Sequence, residues 1–92
     1  MAIDELISDL EPVTRWFDLG LYLGVSEHYL HQLKSEQVCV DYKRVKVLVE
    51  WTENCHCPTW CQVVDALKQM DELQLANHVA SKHGMIISIN IV

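Results

Sequence analysis

An all-α fold is what the sequence predicts, five or six short helices joined by connections of a few residues into one compact antiparallel bundle. Three observations lead there. Apolar residues recur at i, i+3, i+4 and i+7 along most of the chain. Residues that start and stop helices flank those runs. Before the tail, no segment alternates apolar and polar residues with a turn dipeptide behind it, so a sheet is disfavoured.

The elements follow in order. Ile3, Leu6, Ile7 and Leu10 form the inward stripe of a first helix, and Pro12 permits a fresh start at a first-turn position. Trp16, Leu19 and Leu23 continue an inward stripe to Gly24, which can take the left-handed position that ends a helix. Ser26 is placed to cap the next helix, with Glu27 in its first turn and Leu30 and Leu33 on its buried side. After "SEQVC", Asp41 is read as the cap of a longer helix in which Val45, Leu48 and Val49 share a face beside Trp51. Thr59 and Gln62 have capping-box spacing, ahead of Trp60, Val63, Val64 and Leu67. Asp71 and Gln74 repeat that signal more loosely before Leu73, Leu75, Ala76, Val79 and Ala80, and Gly84 stops the last helix. All three tryptophans fall on apolar faces, which reads as core packing, with Trp60 turned inward.

Composition narrows the function. Ninety-two residues make one domain with one core, and 50% hydrophobic against 22% charged residues is ordinary for a folded chain. Seven basic against thirteen acidic residues give a net charge of −6, which repels phosphate backbones and anionic lipid and makes nucleic acid and membrane poor partners. Asp4, Glu5 and Asp9 interrupt the only apolar face near the start, arguing against a signal peptide, and the longest apolar run, "MIISINIV", is far short of a bilayer span. The expectation is a soluble, cytoplasmic protein whose four cysteines are free thiols or ligands rather than disulfides.

The stretch "NCHCPTWC" is the main candidate for site chemistry. Thiolates and imidazoles are zinc ligands, and a structural site wants four of them in a tetrahedron. Cys39 and Cys55 flank a helix of about twelve residues, which at about 1.5 Å per residue holds them roughly 18 Å apart. Cys55, His56, Cys57 and Cys61 remain, crowded into one short stretch where a tetrahedral site would compete with the Thr59 cap. No metal or other cofactor is therefore expected. Cys57 and Cys61 flank a helix start, where the dipole favours a thiolate, Cys61 being the less reachable. A cysteine-centred zinc-binding or redox-sensing helical protein stays as the alternative function. His28 and His31 share a helix face and read as two solvated histidines. No nucleophile lies on a recognisable elbow, so no catalytic residue is assigned.

The residues "WFDLGLYLGVSEHYLHQL" resemble the helix 1 to helix 2 region of a death domain: Trp16, Leu19, Gly20, Leu23, Gly24, Ser26, Leu30 and Leu33 stand at that family's positions. "VKVLVEW" resembles its fourth helix, and "TWCQVVDAL" and "LQLANHV" its fifth and sixth. The family's third helix is poorly marked in "EQVCVD", and "MIISINIV" has no counterpart. The resemblance implies a six-helix Greek-key bundle over residues 1–84, followed by an apolar tail, 85–92, that marks a boundary, docks on the bundle or offers a strand to a partner. It also implies an adaptor in intracellular signalling, such as apoptosis. That adaptor binds other death domains, and itself, through asymmetric contacts without catalysis. Carried onto this chain, the contact residues are Lys43, Lys46 and Glu50 on the fourth helix and Glu27, His28 and His31 on the second. Glu53, Asn54 and His56 in the loop, and Asp71 and Glu72 opposite, complete the set. Charge segregation accords with such assembly: Asp4, Glu5, Asp9 and Glu11 cluster at the start, and Lys43, Arg44 and Lys46 form a basic patch.

Overall fold

The computed structural model of the chain describes residues 2–84, so the tail 85–92 lies outside the described residues. Six helices follow in order: α1 (Ile3–Asp9), α2 (Trp16–Leu23), α3 (Glu27–Ser35), α4 (Val40–Asn54), α5 (Trp60–Gln69) and α6 (Leu73–Lys82), with no strand among the described residues. The central pair is α2 and α4. Helix α2 packs on α3, α4 and α5, α4 also receives α1 and α3, and α5 and α6 form the most extensive interface.

One core runs through all six helices. Leu6, Leu19, Leu30, Val47, Leu48, Val63, Leu67 and Val79 are each fully enclosed, and Leu10 and Val13 bring the link between α1 and α2 into the same cluster. The apolar spacing in the sequence explains most of this, because each helix presents one stripe inward. On α4 the stripe is rotated from the expected one. Val47, Leu48 and Trp51 are buried while Val45 and Val49 are half-buried, since α4 is covered by three other helices rather than by one flat surface. Trp60 packs on the core's edge, half-buried, and Leu73 is exposed at the start of α6.

Helix ends show which local signals prevailed. Gly24 takes the left-handed conformation at φ 89°, and the Val25 N–H donates to the Gly20 carbonyl at 2.8 Å, closing α2. Close packing explains Gly20 itself: a Cβ there would meet a Leu30 methyl carbon at 2.5 Å. The Thr59 capping box forms in full, with Thr59 Oγ1 accepting from the Gln62 N–H and Gln62 Oε1 from the Thr59 N–H. Two expected caps are corrected. Cys39, not Asp41, occupies the cap position of α4, because Asp41 already lies in the first turn and pairs with Arg44 one turn on. Glu72, not Asp71, precedes α6. Asp71 stands at φ 69° and ends α5, its N–H donating to Lys68 and the Glu72 N–H to Leu67. In "EQVCVD", residues 36–41, where the resemblance wants a third helix, residues 36–39 are not helical and Val40 and Asp41 already open α4.

Candidate interaction surface

The proposed contact residues occupy the surface. Glu27, His28, His31, Glu53, Asn54, His56 and Asp71 are exposed, and Lys43, Lys46, Glu50 and Glu72 are half-buried. On α3 helical spacing does this directly, since Glu27, His28 and His31 lie off the stripe of Leu30 and Leu33, whereas Lys43 and Glu50 on α4 stand one turn from buried Val47 and are correspondingly half-covered.

The fold brings two groups of them together. Along the contact of α3 with α4, Tyr29 lies beside Lys46 and Glu50. Burial pushes the Tyr29 phenol above its ordinary range, the Lys46 charge pulls it back, and Glu50 and Glu36 push it up again. Glu50 and Asn54 then line a cleft of about 400 Å³ with Leu23, Gly24, Val25 and Ser26 of the turn between α2 and α3, floored by Trp51 and bordered by Cys55. Ser26 makes no side-chain cap, so the α3 N-terminus has no side-chain acceptor of its own.

The basic patch changes composition. Arg44 is 3% exposed, donates to the Val13 carbonyl at 3.2 Å and to Asp41 at 3.0 Å, and leaves its Nε without a partner among the described residues. It therefore fastens the link between α1 and α2 to α4 and is no surface cation. Lys43 and Lys46 remain, their ammonium groups 5.3 Å and 5.7 Å from the Trp16 and Tyr42 ring centroids. Lys34 Nζ stands 5.6 Å from the Phe17 centroid, and His31 meets the same ring edge-on at 5.1 Å. Lys34 and the half-buried Phe17 are surface features the sequence reading missed, although Lys34 follows His31 by one turn and so shares its face. On the opposite side, Glu72 is drawn into an ion pair with Arg15 at 3.3 Å, whose guanidinium also donates to the Met70 carbonyl.

The acidic cluster loses Asp9 in the same way. Asp9 is buried and accepts from Lys82 at 2.5 Å and His83 at 2.7 Å, while the His83 ring stacks on Trp60 with centroids 3.6 Å apart. Burial acts to raise the Asp9 pKa, but those two hydrogen bonds and the charge beside them prevail and hold it below the ordinary carboxylate value. Reciprocally, the hydrogen bond to Asp9 raises Lys82.

In the cysteine-rich stretch the four thiols are unbridged. Cys39, Cys57 and Cys61 are exposed and Cys55 is half-buried. Cys61 is therefore as open as Cys57, because its position in the first turn of α5 points away from the core that holds Val63 and Val64. Among the described residues no three His, Cys, Asp or Glu side chains are placed to hold a metal ion. None of the described helices is long and apolar enough to cross a membrane. No family model matches the chain, and no curated protein or solved structure matches it.

Proposed function

We propose that this chain is a protein-interaction module of the death-domain kind, binding other such domains homotypically and assembling into asymmetric oligomers as a cytoplasmic signalling adaptor. It works by surface complementarity rather than catalysis, and its helices take the family's Greek-key order. The observation that carries the reading is the combination of core and surface along one motif. Trp16, Leu19, Gly20, Leu30 and Leu33, which carry the resemblance, pack together in the core, and the contact positions on α3 and α4 face outward. The missing helix at 36–39 leaves an extended link there, so contacts that the family makes through that helix fall to α3 and the start of α4.

Capture of purified death domains on the immobilised chain tests the reading. Retention of at least one, weakened by Lys43→Glu with Lys46→Glu while helical circular dichroism is unchanged, is the expected outcome. Retention of none overturns the reading, and retention unaffected by the double reversal removes α4 from the interface.

A further inference from the structure

Where α4 ends against the turn between α2 and α3, the cleft of about 400 Å³ is large enough for a small organic molecule. Leu23, Val25 and Trp51 give it apolar walls and floor, and Glu50, Asn54 and Ser26 bring polar groups to its lining. Glu50 supplies the one carboxylate of that lining, and no basic residue lines the cleft. Among the described residues Glu50 forms no ion pair. Lys46, one turn back on α4, has its ammonium 5.7 Å from the Tyr42 ring centroid instead.

The other polar groups of the lining keep acceptors to spare. Asn54 Nδ2 donates to the Glu50 carbonyl at 2.9 Å, which leaves the Asn54 Oδ1 as an open acceptor, and the Ser26 hydroxyl makes no cap hydrogen bond to α3. Helix α4 also ends here. Where α3, α5 and α6 each carry a lysine in the last turn, α4 carries no basic residue to offset its C-terminal dipole. The Cys55 thiol at the border is directed to Gln62 Oε1 at 3.8 Å. An anion is disfavoured in the same place, because Glu27 already sets a carboxylate in the first turn of α3 beside Ser26.

We infer that this cleft is a binding site for a small organic amine, a primary ammonium carried on a short apolar body. The three N–H donors of such a group match three acceptors, the Glu50 carboxylate, Asn54 Oδ1 and the Ser26 hydroxyl, while the apolar body lies against Leu23, Val25 and Trp51. Charge completes the match. The carboxylate and the C-terminal dipole of α4 both favour a cation at a place where the lining supplies none. The site is built within one chain, so it stands independently of the homotypic binding proposed above.

Titration of the full chain with phenethylammonium, followed by proton–nitrogen NMR at fixed ionic strength, tests it. Saturable shifts confined to residues 23–26, the Trp51 indole, Asn54 and Cys55 are the expected result. Phenethyl alcohol, of the same shape without the charge, is expected to bind about tenfold more weakly, and phenylpropionate not at all. Glu50→Gln is expected to weaken the ammonium by about tenfold through loss of its charged acceptor. Asn54→Lys is expected to abolish binding, because the new side chain supplies the cation from within; its exposed position at a helix end suits a lysine, so the fold is retained. If Glu50→Gln lowers the helical signal, Asn54→Lys carries the test alone. Equal affinity for the alcohol, tighter binding of phenylpropionate, or unchanged binding in Asn54→Lys each overturns the inference. So do shifts that scatter over the acidic surface without saturating, and the absence of any shift.

Discussion

Asp9 shows how far one side chain can depart from its sequence neighbourhood. Flanked by Asp4, Glu5 and Glu11, it reads as one more surface acid, yet it is buried because Lys82 and His83 arrive from the far end of the chain. Burial without those partners would cost several kcal/mol, on the order expected for an isolated ion in the interior. No local periodicity could reveal this. The pH consequence follows from the lowered pKa. The Asp9 contribution is fully present above the ordinary carboxylate value of 3.8 and is lost as pH falls through the lower folded value. Lys82, with its pKa raised, acts at the other limit: its contribution holds below the ordinary lysine value of 10.5 and is lost as pH rises beyond it. Asp9→Asn is expected to lower stability at neutral pH by about 1–3 kcal/mol. It should also flatten the acid limb of a plot of urea midpoint against pH; an unchanged acid limb would assign that limb to other carboxylates. Arg44 is the cationic counterpart, read as surface from Lys43 and Lys46 on either side and enclosed because α1, α3 and α2 all close on α4.

At the scale of elements, two signals written within one turn of chain hold, while a third, Ser26, takes the cap position of α3 without a side-chain hydrogen bond. The Thr59 and Gln62 pair needs only its own four residues, and Gly24 needs only freedom from a Cβ, so both are as read. Thr59→Ala is expected to cost about 1 kcal/mol through loss of the cap, measured as a shift in thermal midpoint with helical content retained. Asp41 and Asp71 fail as caps because each has a stronger use nearby, one facing Arg44 and the other turning left-handed to end α5, a conformation aspartate tolerates better than most residues. Leu73 and Val45 fail for a different reason. Leu73 is the first residue of α6 and stands exposed there, whereas α4 is covered from several sides, so the single covering surface that a spacing rule assumes is missing around Val45.

Taken whole, the described residues hold a single apolar cluster that takes a contribution from every helix. That was legible in the sequence, because inward stripes at helical spacing have to meet somewhere. The composition of the surface was less so: the proposed contact positions on α3 are exposed and those on α4 half-buried, while Arg44, Asp9 and Glu72 are taken up by partners within the chain, and Lys34 over Phe17 emerges only once α2 and α3 are packed. One shared core predicts one cooperative transition. Trp16, Trp51 and Trp60 report from α2, α4 and α5, so tryptophan fluorescence and far-ultraviolet circular dichroism should trace the same urea curve. Separated curves would show that α5 and α6, with their extensive mutual interface, melt as a unit of their own.

The pairing of Asp9 with Lys82 and His83 also sets an order of events. The partners are 73 and 74 residues apart, so nearly the whole described chain must be threaded into place before they can meet. Loop-closure entropy is then met by the local contacts of α2 through α6, and the seating of α1 on α4 and on the last turn of α6 comes after them. The beginning of the chain is thus the last part to arrive and the first to leave. Loss of its carboxylate should therefore appear as faster unfolding at an almost unchanged folding rate.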